Sequence, residues 1–142
     1  LYWGAAYGYA HAVFKENIDS VKVDGVNTAV DYKDKRVPYI PEHTFSLMAD
    51  YHFGKFVVGA NVVGQGKTWW DEANTYSQKF YATLGAHVDY DFGPAVVSLW
   101  GRNLTDTNYN TFAVGSAATG SQLFFAHRAD PLQVGLDVRL HF

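Results

Sequence analysis

Gln133-Val134-Gly135-Leu136-Asp137-Val138-Arg139-Leu140-His141-Phe142 are the last ten residues of the sequence. Val134, Leu136, Val138, Leu140 and Phe142 share one parity; Gln133, Gly135, Asp137, Arg139 and His141 share the other. Successive side chains of a strand point to opposite faces, so the stretch reads as a strand with one apolar and one polar face. On a soluble sheet the apolar stripe packs on a core. In a membrane-spanning barrel it faces lipid, and the polar parity faces the lumen. The rest of the sequence decides between the two.

Strand-like alternation recurs upstream, and helical periodicity does not. Residues 1–14 set Trp3, Ala5, Tyr7 and Tyr9 against Gly4, Ala6, Gly8 and Ala10. Residues 44–53 set Phe45, Leu47, Ala49, Tyr51 and Phe53 against Thr44, Ser46, Met48, Asp50 and His52. Residues 56–70, 80–92 and 95–104 continue the pattern, which makes about six strands with the last. His52-Phe53-Gly54-Lys55 and Asp91-Phe92-Gly93-Pro94 read as tight turns. The other connections, residues 15–36 (with Asp24-Gly25 inside), 71–79 and 105–131, are longer or polar. Tight turns after strands two and four, with longer loops after one, three and five, match the connectivity of an outer-membrane barrel. A β-sandwich is not expected to sort its loops this way.

Composition agrees with this reading. Aromatic residues make up 17% of the 142, and Tyr and Trp suit membrane interfaces because an apolar ring carries a polar tip. The net charge is −3 with no basic stripe, so no nucleic-acid partner is expected. Without cysteine there is no disulfide framework or thiolate metal site. No run of 18 apolar residues predicts a transmembrane helix, but barrel strands need only about 9–11 residues each. Six antiparallel strands leave two open edges, and unpaired backbone groups are not tolerated in lipid. Bacterial barrels begin at about eight strands. Further strands are therefore expected before Leu1, with residues 1–142 forming three hairpin units at the C-terminal end of one larger barrel domain.

Three patches carry a family resemblance. Val37-Pro38-Tyr39-Ile40-Pro41-Glu42-His43-Thr44 resembles the segment that leads a long outer loop into a descending strand of TonB-dependent outer-membrane receptors. Leu99-Trp100-Gly101-Arg102-Asn103-Leu104-Thr105-Asp106-Thr107-Asn108-Tyr109 resembles that family's Asn-Leu-x-Asp-x-x-Tyr signature. The tail from Val134 to Phe142 resembles its aromatic-terminated last strand. The resemblance implies an all-β, antiparallel transmembrane β-barrel of 22 strands, with about the last six here. It implies a plug domain, outside these residues, that recruits TonB. It also implies active transport of a scarce ligand across the cell outer membrane: a ferric siderophore first, with haem or cobalamin as alternatives. Its implied partners are outer-membrane lipid, lipopolysaccharide, the rest of its own barrel and the barrel-assembly machinery. Leu136, Val138, Leu140 and Phe142 resemble the C-terminal signal that this machinery reads; the same stripe also serves simple lipid contact.

Candidate site residues are weighed on this footing. Trp69, Trp70, Asp71 and Tyr76 top the third strand, and Tyr109 and His127 border the last long loop. Each set suits stacking on a flat ligand, with His127 a conceivable haem ligand, or an interfacial aromatic girdle. Asp50, His52, His87, Asp89, Asp91, Asp137, Arg139 and His141 share the lumenal parity. Their spacing argues against a catalytic or metal centre, so they are expected to form a water-facing wall or plug contacts. No enzyme activity, cofactor or metal is expected. Two other functions stay open on the residues alone: a small structural or adhesive outer-membrane barrel, and a soluble lipocalin-like ligand-binding barrel.

Overall fold

The computed structural model describes residues 1–116 and 123–141. Phe142 and the tip of the last long loop lie outside the described residues. Twelve strands follow in chain order: β1 (Tyr2–Tyr9), β2 (Ile18–Val23), β3 (Val26–Asp31), β4 (His43–Phe53), β5 (Phe56–Gln65), β6 (Thr68–Trp69), β7 (Ser77–Gln78), β8 (Tyr81–Asp91), β9 (Ala95–Arg102), β10 (Asn110–Ser116), β11 (Leu123–Arg128) and β12 (Gln133–Leu140). Among the described residues there is no helix. The six long strands form one antiparallel sheet in the order β1-β4-β5-β8-β9-β12. All six strands read from the sequence are present.

Two boundaries differ from expectation. The first strand stops at Tyr9, and pairing resumes beyond it at Val13↔Arg36. The third ends at Gln65; the Gly66 amide turns to the His43 carbonyl at 2.7 Å, and β6 then pairs with β7. The long connections are not plain loops. Each carries a hairpin of its own: β2–β3, β6–β7 and β10–β11. The first turns at Asp24-Gly25, whose φ values of 50° and 83° are the two left-handed residues that a type I′ turn needs.

Register joins the apolar parities into one face. Leu47 pairs with Val62 and Val62 with Leu84; Val58 pairs with Val88, Val88 with Leu99, and Leu99 with Leu136. The large side chains of this face are exposed, from Trp3 at 71% to Leu136 at 64%. The apolar side chains that are buried among the described residues, Trp70 and Ala113, both lie in the outer hairpins. The sheet therefore has no core of its own on its apolar side.

Aromatic rows border that face. Phe53 stacks on Phe56 at 5.3 Å, Phe56 meets Tyr90 at 4.5 Å, and Tyr90 meets Phe92 at 4.5 Å, all beside the tight turns. At the far end Phe45 stacks on Phe80 at 6.0 Å, and the Tyr7 hydroxyl is 2.7 Å from His43 Nδ1. Phe45 and Phe53 are eight residues apart on β4. That is about 26 Å along a strand, and a tilt of about 40° reduces it to about 20 Å of height, close to the apolar band of a barrel.

The opposite face is polar and holds close packing over glycine. Asp50, Gly59 and His87 stand in one row. His87 Nε2 lies 3.8 Å from Asp50 Oδ1 and 3.8 Å from Asp89 Oδ2. A Cβ on Gly59 would overlap both the His87 ring and the Asp50 carboxylate. Gly59→Val is expected to destabilise the barrel by about 1–3 kcal/mol through overpacking. Chemical unfolding of the reconstituted protein checks this, and an unchanged midpoint would show that the two side chains swing away freely.

Candidate ligand-facing surfaces

Tyr39 lies between Pro38 and Pro41, in the left-handed region at φ 64°. Its amide donates to the Trp69 carbonyl at 2.9 Å, and its hydroxyl donates to the Ala113 carbonyl at 3.0 Å. Its ring stacks on Phe112 at 5.8 Å and leans against Trp70 at 5.5 Å. Tyr39 and Phe112 are about half exposed, while Trp70 is buried. The outer surface of this cluster is therefore the Tyr39–Phe112 pair, with Trp70 beneath it.

The residues singled out in the sequence fall into three places. Trp70 and Tyr76 bracket the β6–β7 hairpin: the Trp70 amide donates to the Tyr76 carbonyl at 3.0 Å, and the Tyr76 ring meets Phe124. Trp69 lies under the Lys67 ammonium, 3.6 Å from its ring centre. Asp71 accepts from the amides of Thr75 and Tyr76 at 2.8–3.0 Å, which folds the hairpin tip. Tyr109 stands apart, stacked on Tyr81 at 3.8 Å above a polar-face hollow of about 500 Å³. His127 is exposed on β11, with Nδ1 3.1 Å from the Thr111 hydroxyl. Trp70 and Tyr76 thus share one cluster, and Tyr109 and His127 stand outside it. Tyr39 was missed as a site residue, although an aromatic ring between two prolines was its visible signal.

The signature around Asn103 is a knot in the backbone. Asn103 is buried at φ 47°. Its amide nitrogen donates to the carbonyls of Thr107 and Asp130, both at 3.1 Å, and its oxygen accepts from the Thr107 amide at 2.9 Å. Asp106 accepts from the Leu132 amide at 3.1 Å. The Thr107 hydroxyl donates to the Ala82 carbonyl at 3.0 Å, and Leu104 covers Gly101. The motif therefore ties the exit of β9 to β8 and to the entrance of β12.

Just before β4, Arg36 donates to Glu42 at 2.7 Å. This hydrogen bond, above all, holds the Glu42 carboxyl below its ordinary range; desolvation opposes the shift, and the charges of Arg36, His43 and His11 add to it. A depressed carboxylate pKa contributes stability above the ordinary Glu range and loses it as pH falls through the folded value. Amide protection of the non-proline residues in 36–42, corrected for the intrinsic pH dependence of exchange, is therefore expected to be flat near neutrality and to fall only in acid. Arg36→Gln should move that onset to higher pH, and an unmoved onset would dissociate Glu42 from the effect.

An exposed apolar band with aromatic borders, a polar reverse face and tight turns at one end together define the wall of an outer-membrane-type β-barrel. The family model described as "TonB dependent receptor-like, beta-barrel" matches residues 1–104, and the chain belongs to that family. This is a family of outer-membrane transporters rather than enzymes. Three solved structures are similar in fold. The siderophore receptor PiuA from Acinetobacter baumannii matches 96% of this chain with a TM-score of 0.79 at 23% identity, over 18% of its own length. The ferric yersiniabactin uptake receptor FyuA from Yersinia pestis matches 78% with a TM-score of 0.67 at 23% identity, over 18% of its length. The ferric citrate transporter FecA matches 80% with a TM-score of 0.62 at 23% identity, over 19% of its length. The chain spans under a fifth of each of these receptors.

Proposed function

We propose that these residues form part of the wall and outer rim of a receptor that imports a scarce ligand across the outer membrane, with energy delivered through TonB. A ferric siderophore is the first choice of ligand. Haem and cobalamin follow, since the fold itself does not discriminate among them. The observation that carries the reading is the continuous apolar face of six strands, exposed on one side and backed by a polar wall. Family membership and the likeness to iron-compound receptors support it.

In this reading residues 1–142 are the C-terminal part of one barrel domain. A plug in the lumen contacts TonB, and the polar row around His87 faces that plug. Lipid covers the apolar band, and lipopolysaccharide meets its outer aromatic row. Trp69, Trp70, Asp71, Tyr76, Tyr109 and His127 remain the candidate ligand residues, and Tyr39 and Phe112 join them because their rings are exposed. Leu136, Val138, Leu140 and Phe142 serve as the assembly signal. Phe142→Asp is expected to reduce the heat-modifiable barrel in the outer membrane severalfold, and wild-type amounts would remove Phe142 from that role.

The functional test is uptake of radiolabelled ferric siderophores, haem and cobalamin, each labelled in its own metal, by the intact receptor in a strain lacking its other receptors, with and without TonB. Uptake of one ferric siderophore that vanishes without TonB is the expected result. Uptake of haem or cobalamin alone would reassign the ligand. TonB-independent entry, or none for any of the three, would refute the transport reading.

A further inference from the structure

We infer that the three outer hairpins form one mechanical body, and that Tyr39 is the positioning residue at its hub. Each pair of outer connections is tied at two points or more. The first and second are joined where the Arg36 amide donates to Asn74 Oδ1 at 2.7 Å and Asn74 Nδ2 returns a bond to the Arg36 carbonyl at 2.9 Å. The Tyr39 amide adds its bond to Trp69. The first and third are joined by the Tyr39 hydroxyl on Ala113 and by its ring on Phe112. The second and third are joined where the Asn110 amide donates to Gln78 Oε1 at 2.9 Å, and where Tyr76 meets Phe124. These ties close a triangle, and among the described residues Tyr39 reaches both other sides through polar bonds and ring contacts.

The backbone at Tyr39 supports this assignment. A tyrosine in the left-handed region costs about 1–2 kcal/mol relative to its ordinary conformation. Contacts must hold it there, and the flanking prolines limit how the chain reaches it. A rim cross-tied in this way does not open loop by loop. The Tyr39–Phe112 ring pair, drawn from two connections, keeps its spacing as the rim moves. The inference is independent of which ligand the receptor carries.

Hydrogen exchange on the intact receptor in detergent, comparing wild type with Tyr39→Phe, tests it. Among the described residues the hydroxyl's hydrogen bond goes to Ala113, in the third connection, and not to the second. If the hairpins are one body, exchange should rise about three- to tenfold, the effect of one lost neutral hydrogen bond, both at residues 110–116 and at residues 70–76. A rise confined to residues 110–116, or none, overturns the inference. Asn74→Ala gives the reciprocal reading: residues 110–116 should loosen although Asn74 makes no hydrogen bond to them. Unchanged exchange in β4, β5 and β8, with normal heat-modifiable migration, shows that each variant has folded.

Discussion

Asn103→Ala is expected to destabilise the barrel by about 3 kcal/mol, the largest loss we anticipate from one polar side chain. The substitution removes three hydrogen bonds at a buried site. Each contributes about 1 kcal/mol net, and the left-handed backbone adds about 1 kcal/mol against alanine, partly offset by relaxation and water entry. Asparagine adopts this backbone far more readily than most residues. Asn103→Asp keeps the oxygen that accepts from Thr107 but sets a carboxylate oxygen against the Thr107 and Asp130 carbonyls at a buried site, so it should be at least as costly as alanine. Asn103→Gly relieves the backbone and loses all three bonds, so it should sit slightly above alanine. Denaturant unfolding of the reconstituted receptor ranks the four proteins. A loss under about 0.5 kcal/mol for alanine would mean that the knot is redundant.

The second large effect is a sidedness test. Ala60 lies on the apolar face, midway along β5 between Phe56 and Gly64. Ala60→Arg places a guanidinium near mid-height, where the expected cost is about 2–4 kcal/mol if lipid covers the face. Ser98 lies on the other face, in register with Asp89 and Asp137. Ser98→Arg meets two carboxylates there and is expected to change stability by under about 0.5 kcal/mol. If both variants behave alike, lipid does not cover the apolar face, and if Ser98→Arg is the costly one, the lipid and lumenal faces have been assigned the wrong way round.

The contrast between wall and rim explains what the sequence made legible. Leu136, Val138 and Leu140 alternate with Asp137 and Arg139, as the proposed barrel wall, with lipid on one face and water on the other, would require. That constraint acts on every long strand, and all six could be read. The outer hairpins meet water on both sides. In β2, Ile18, Val23 and their neighbours stand exposed almost throughout, so no stripe marks the strand. Only Asp24-Gly25 signalled a turn, and a turn without flanking alternation reads as loop. Alternation also overran a true boundary: Lys67 continues the polar parity of β5, but Gly66 redirects the backbone. For the candidate ligand residues, burial was invisible. Trp70 looked like a surface ring and lies beneath Tyr39, while Asp71 spends its carboxylate on two amides of its own turn.

Among the described residues, the β2–β3 hairpin makes its extensive strand contacts within itself. Its tip at Asp24-Gly25 leaves open space around the glycine. Such a tip accepts inserted sequence with little effect on the sheet below. A peptide epitope grafted between these two residues would stand at the far end from the tight turns, where an antibody added to whole cells could bind it without entering the pore. The hairpin thus offers a handle for counting, sorting or tethering intact bacteria that carry the receptor.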